Sequence, residues 1–252
     1  MIIERSRSYM KRNVSNCADE LFASLIAMSA NNKPLHEMTL VDYGGGTGML
    51  SMQAKRMGVH TVIYCDLDSK WNAQEIAHEN GLEANHYVVG DIDDLVNYCI
   101  EHSLTVDAIV SHDVIEHIVD LEYFAKRLID LPHKTLTCIL SSGANMYNPL
   151  ILYRILLANH KIRKTYKISS RRSPACERLM RISFLKSVFE GATIQPGYYT
   201  RSNWRRVMNP LIRVLRYMVA PYYVCRFVNT NSMLVNSNLS KDHGRVLEKL
   251  TD

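Results

Sequence analysis

The chain has 252 residues, 47% of them apolar and 22% charged, with a formal net charge of +5. That length suffices for one large domain with a buried core. No run of 18 uncharged apolar residues occurs, and the start from Met1 to Arg7 lacks an apolar signal core, so neither a membrane-spanning helix nor a secretory leader is expected.

Six cysteines, at positions 17, 65, 99, 138, 176 and 225, are scattered with no C-x-x-C pair. That spacing argues against a zinc knuckle and for reduced thiols in a cytoplasmic setting, with Cys65 and Cys138 as small core residues of apolar strands. The net charge hides a split. Residues 1–150 hold 11 Lys and Arg against 20 Asp and Glu, residues 151–227 hold 16 against 2, and the remainder 3 against 3. The basic segment points to an anionic partner or substrate.

In chain order, residues 1–34 read as an N-terminal helical leader. Apolar residues recur at helical spacing from Asp19 to Met28, and Asn31 to Pro34 end it. From Leu35 the pattern alternates between strand and helix. Strands are expected near 38–42, 61–66, 86–90, 106–111 and 134–141, with helices at 48–57, 70–80, 93–102 and 120–129 between them. Such alternation implies a parallel sheet with helices on both faces, and ligands of such sheets bind at the C-terminal strand ends. After residue 148 the pattern changes. Asn148-Pro149 reads as a cap and first turn opening an apolar helix from Leu150 to Leu157. A basic stretch, His160 to Lys167, and a helical pattern over 177–189 follow. Residues 192–200 and 226–236 read as the last two strands, with a second Asn-Pro helix start at Asn209-Pro210 between them. One domain over 35–252 is therefore expected, carrying basic substrate-capping inserts at about 148–190 and 201–225.

The most informative segment is Asp42-x-Gly44-Gly45-Gly46-x-Gly48, between a β-prone run and a helix-prone one. A strand, a glycine turn and a helix bring bare backbone N–H groups and a helix N-terminus up to a ligand. The dinucleotide pattern G-x-G-x-x-G needs a third glycine where Met49 stands, and a P-loop needs G-K-[ST], which Gly48-Met49-Leu50 does not supply. Asp42 would repel a phosphate. It suits a ligand with an ammonium group and hydroxyls. Asp66 ends the second strand, where two acceptor oxygens can take both hydroxyls of a ribose. Asp91 ends the third. Ser111 ends the fourth, followed by His112-Asp113-Val114-Ile115-Glu116-His117.

Taken together, these motifs resemble the class I S-adenosylmethionine (SAM) methyltransferases, whose first motif is an acidic residue followed by G-x-G-x-G. The phrase Asp113-x-x-Glu116-His117 is similar to the D/E-x-x-E-H segment of small-molecule methyltransferases, including the ubiquinone-biosynthesis O-methyltransferases. The resemblance covers roughly Leu35 to Ser142. It implies a Rossmann-like, doubly wound, mostly parallel seven-stranded sheet closed by a C-terminal antiparallel hairpin. It also implies SAM as donor, leaving S-adenosylhomocysteine. The cofactor contacts expected are Asp42, Gly44, Gly45, Gly46, Gly48, Asp66, Leu67, Asp91, Ile92 and Ser111. In the resembling family Asp91 would receive the adenine amine, and Ile92 would pack on the ring.

For a hydroxyl acceptor a base must take the proton, and His112 and His117 are the candidates. His117 is preferred, on the expectation that it begins a helix facing the pocket. If Asp113, Glu116 and His117 shared that helical face they could also hold Mg²⁺ or Mn²⁺, although Asp113 is one methylene shorter than the family's Glu. The basic segment has three readings: a solvated face over a substrate-capping insert, docking on an anionic membrane surface, and nucleic-acid binding. Two Leu/Ile-rich Asn-Pro helices, with Trp204, Tyr217, Tyr222 and Tyr223 as interfacial aromatics, favour a small or lipid-like acceptor over nucleic acid. The reading is thus O-methylation of such an acceptor by a cytoplasmic, optionally membrane-associated protein. An RNA methyltransferase and a non-catalytic SAM-binding regulator are the rivals.

Overall fold

A computed structural model of the protein describes residues 21–26, 28, 33–68, 71–167, 175–197, 220 and 222–229. The expected leader before residue 21, the helix opening at Asn209, and Trp204 and Tyr217 lie outside these residues. Residues 21–26 are helical.

Seven strands form one sheet: β1 (Thr39–Tyr43), β2 (Thr61–Asp66), β3 (His86–Val89), β4 (Ala108–His112), β5 (Leu136–Ser142), β6 (Thr193–Gly197) and β7 (Tyr222–Asn229). Their spatial order is β3-β2-β1-β4-β5-β7-β6. The first five pair in parallel, and β7 runs antiparallel to both β5 and β6. The helices are α1 (Met49–Arg56), α2 (Ala73–Glu79), α3 (Ile92–Glu101), α4 (Leu121–Asp130), α5 (Pro149–Tyr166) and α6 (Ile182–Val188). This is the mostly parallel, doubly wound architecture with a C-terminal hairpin that the sequence predicts.

Strands buried on both faces read as near-continuous apolar runs, and β5 is buried at every position. Alternate residues divide between two cores. Val41, Tyr43, Ile63, Cys65, Ile109, Cys138 and Leu140 meet α3 and α4 through Leu95, Cys99, Phe124 and Leu128. Leu40, Val62, Tyr64, Ala108, Val110, Ile139 and Val224 meet Leu50 and Ala54 of α1 and the helical residues Leu21, Phe22 and Leu25. Because side chains alternate along a strand, Asp42 falls on the α1 face between Val41 and Tyr43.

Three expected elements differ. The apolar helix opened by Asn148-Pro149 does not stop at Leu157 but continues through the basic residues to Tyr166. Lys and Arg are good helix formers, and their charge breaks the apolar pattern, not the helix. The helical pattern over 177–189 yields only Ile182–Val188, preceded by extended backbone in which Met180 bridges Asn145. The last strand begins at Tyr222 rather than 226, and Tyr223 is 1% exposed against β5, so it is a core residue and not an interfacial aromatic.

Candidate active site

Strand order reverses between β1 and β4, and there the C-terminal strand ends leave a crevice. The glycine loop is folded back on β2: Gly44 and Gly45 donate their N–H groups to Cys65 O at 2.7 and 3.2 Å. Gly44 has φ +68°, and a Cβ there would lie 2.4 Å from Val114 Cγ2, so both the backbone and the β4 loop demand glycine. Gly48, also at positive φ, is the residue that starts α1; it faces Ala73 and does not line the cleft.

Asp42 is fully buried. Its Oδ2 accepts from Ser51 N at 2.8 Å and Ser51 Oγ at 2.7 Å, while Oδ1 has no partner among the described residues. Burial raises its pKa to about 6 against the lowering effect of the Ser51 bonds. Asp66, at the end of β2, clasps the loop as well: Oδ2 accepts from Gly46 N at 2.8 Å and Oδ1 from Asp68 N at 3.1 Å. Each oxygen keeps a second lone pair. Tyr64 adds a third tie, its OH donating to Gly46 O at 2.7 Å. Asp91 caps α3. Its Oδ1 accepts from Asp93 N and Asp94 N, and Asp94 Oδ2 accepts from Asp91 N, a reciprocal capping box.

Opposite the glycine loop, β4 ends in His112, and Asp113 follows at φ +54°. His112 Nδ1 lies 2.7 Å from Ser141 Oγ, and Nε2 lies 3.4 Å from Asp113 Oδ2. Glu116 is 2% exposed, and its Oε1 accepts from Gly143 N at 2.9 Å. Burial first, and then the Asp113 charge, raise its pKa well above the ordinary carboxylate range. Its backbone carbonyl accepts from Arg178 N at 2.9 Å. Glu116 therefore ties the β4 loop to the loop after β5 and to the segment before α6.

His117 closes a turn, its N–H donating to Val114 O at 2.8 Å, and α4 starts only at Leu121. The helix expected to begin at His117 is absent. Without it, Asp113, Glu116 and His117 do not share a helical face, and no group of three or more His, Cys, Asp or Glu side chains among the described residues is placed to hold a metal ion. The shared helical face on which the metal alternative rested is therefore not formed. His117 nonetheless lines the cleft, as does His112.

The cleft has a volume of about 910 Å³. Of the expected cofactor residues it is lined by Asp42, Gly44, Gly45, Gly46, Asp66, Leu67, Asp91 and Ile92, but not by Gly48 or Ser111. Ser111 is fully buried within β4, where its carbonyl accepts from Ser141 Oγ at 3.3 Å. Sequence reasoning missed several lining residues. Tyr43, Phe124 and Trp71 read as ordinary apolar positions. Arg154 on α5 and Glu177 come from the inserts and meet across the cleft at 3.0 Å. Among the described residues the lining carries eight carboxylates (Asp42, Asp66, Asp68, Asp91, Asp113, Glu116, Asp120 and Glu177) and a single guanidinium, Arg154. Such a site disfavours phosphate groups and favours a cation.

Residues 41–131, which span the glycine loop, all three acidic strand ends and the Glu116-His117 pair, match a family described as "Methyltransferase domain". Over this segment the chain is similar to methyltransferase domains. Among characterised relatives, the mitochondrial ubiquinone biosynthesis O-methyltransferase of Bos taurus is 28% identical over 104 residues. The match takes in 39% of this chain and 27% of that protein, so the chain spans about a quarter of this relative's length. Solved structures show the same fold at low identity. A methyltransferase bound to the Haloferax volcanii Trm112 methyltransferase activator aligns with a TM-score of 0.57 at 15% identity, over 88% of this chain and 92% of the other. An O-methyltransferase from Nostoc punctiforme aligns with a TM-score of 0.55 at 11% identity, over 88% and 59%.

Proposed function

We propose that the protein transfers a methyl group from SAM to an oxygen of a small or lipid-like acceptor. The observation that carries the reading is the convergence of carboxylates from the ends of β1, β2 and β3 on one acidic cleft beside a glycine loop. The residues present fit a sulfonium and ammonium cation better than a pyrophosphate. When bound, SAM supplies a methyl group already activated by its positive sulfur.

The chain's residues then have distinct tasks. Asp66 takes ribose hydroxyls on the lone pairs its two backbone donors leave unused. Asp91, with Oδ1 committed to the helix cap, offers Oδ2 to the adenine amine, and Ile92 and Leu67 supply apolar cover. Asp42 acts through Ser51, holding the first turn of α1 against the loop. Gly44, Gly45 and Gly46 let the donor approach bare backbone. His117 takes the proton from the acceptor hydroxyl, and His112, held by Ser141, faces the same space.

Labelled methyl transfer from SAM into a cell extract, followed by fractionation into lipid, RNA, protein and small molecules, tests the reading. Label in the lipid or small-molecule fraction supports it, and label confined to RNA refutes it. Two variants test the assignments. Asp66→Ala is expected to weaken SAM binding about tenfold by calorimetry, the equivalent of one good hydrogen bond to a charged group. Unchanged affinity would remove Asp66 from the donor site. His117→Ala is expected to lower kcat by about a hundredfold or more with SAM affinity intact; a kcat within twofold of wild type would remove His117 as base.

A further inference from the structure

Helix α5 is unusual in what it shows to solvent. Its inward stripe packs through Ile151 and Ile155 on the core, and Ile155 is its only fully buried residue. On the opposite side Leu150, Tyr153, Leu156 and Leu157 are 79%, 65%, 55% and 51% exposed. Spacings of three and four residues place all four on one outward face. One turn further on, the same face becomes basic, with His160, Lys161, Lys164 and Lys167 exposed. No acidic residue occurs from Pro149 to Lys167. A surface helix ordinarily turns its polar side out, and a contiguous outward apolar patch marks an interaction site.

The face is held in place before any partner arrives. Asn148 Oδ1 caps the N–H groups of Leu150 and Ile151, and its Nδ2 donates to Ala220 O at 3.1 Å. Further along, Asn159 exchanges two hydrogen bonds with the Glu177 backbone, at 2.7 and 3.0 Å. The neighbouring flank of the helix carries Arg154, which lines the cleft and pairs with Glu177 at its mouth. The outward face and the cleft mouth are therefore adjacent on one rigid helix.

We propose that α5 seats the protein on an anionic lipid surface, with the mouth of the cleft turned toward the bilayer. Charge decides the occupant. Leucines and a tyrosine followed by a lysine-rich turn match the acyl boundary and the anionic headgroups of a membrane surface. A phosphate backbone would use the lysines and leave the leucines in water. A second copy packed parallel on the same face would bring Lys161 and Lys164 of the two copies together, and one packed antiparallel would offer those lysines no acidic residue of its own helix. Among the described residues no helix is long and apolar enough to cross a membrane, so the contact lies on the surface. Docking stands independently of the chemistry; that an apolar acceptor enters the cleft from the bilayer rests on the methyltransferase reading.

The test is cosedimentation of the full chain with vesicles of phosphatidylglycerol and phosphatidylcholine, or of phosphatidylcholine alone, with SAM calorimetry on the same samples. Wild type is expected to bind the anionic vesicles at least about tenfold more strongly than the neutral ones, with the preference lost at high salt. Tyr153→Asp/Leu157→Asp and, separately, Lys161→Glu/Lys164→Glu are expected to cut vesicle binding about tenfold while leaving SAM binding unchanged. Absence of vesicle binding, or binding indifferent to both double variants, overturns the docking while leaving the methyltransferase reading intact. A concentration-dependent dimer abolished by the aspartate pair, or equally tight binding to RNA, also overturns it. Vesicle binding without SAM binding would instead refute the methyltransferase reading and leave the docking standing.

Discussion

Asp42 shows how a single side chain couples local alternation to the site. Strand periodicity sends it into the face covered by α1, where Ser51 supplies two donors to Oδ2 and no other described residue reaches Oδ1. Its folded pKa, about 6, lies above the ordinary 3.8, so the folded state favours the neutral acid. The sign follows: its stabilising contribution is fully present below pH 3.8 and is lost as pH rises through about 6. A gap of about 2 units at ~1.4 kcal/mol per unit makes the loss at neutral pH about 3 kcal/mol at most. Asn at this position keeps an acceptor for Ser51 and cannot ionise. Urea unfolding at acid and neutral pH should therefore show Asp42→Asn gaining on wild type as pH rises; parallel profiles would refute the assignment. Glu116 is the related case on the β4 side. The sequence allowed it a metal role only as an alternative, and in the fold its carboxylate fastens Gly143.

Whether an element forms was legible locally; where it ends was less so. The Asn148-Pro149 pair predicts a helix start, and Asn148 does cap two N–H groups of α5. Asn148→Ala removes that cap and the bond to Ala220 O. It should destabilise the protein by about 1–2 kcal/mol, seen as a lower urea midpoint at unchanged m-value. A midpoint indistinguishable from wild type would show that α5 is held by its inward apolar stripe alone. The C-terminal end of α5 escaped the sequence because the apolar pattern fades into lysines that still favour helix. The early start of β7 escaped it because Tyr222 and Tyr223 read as surface aromatics until pairing with β6 and β5 placed them in the sheet.

For the molecule as a whole, ligand binding and stability are linked. A donor that binds only the folded state at a hundred times its dissociation constant stabilises that state by about 2.7 kcal/mol. For a chain of this size that should raise the melting temperature by about 5–10 °C, readable by calorimetry with and without SAM. A melting temperature unmoved by saturating SAM would refute the proposed donor site. Such a shift would also report the inserts, since Arg154 and Glu177 close the same cleft that the glycine loop opens.

By itself the sequence determined what depends on near neighbours. It shows the βα alternation, the glycine turn with its acidic strand end, the aspartates closing the second and third strands, and the charge split between the halves. Each of these is written in spacings of a few residues, where periodicity and backbone preference act directly. The tertiary structure decided what depends on residues far apart in the chain. It placed Gly48 and Ser111 outside the cleft and Arg154 and Glu177 at its mouth. It made a turn of the expected helix at His117, and it left the leucines of α5 facing outward. These outcomes follow from strand order and from which surfaces meet, and no local pattern encodes the packing that selects them.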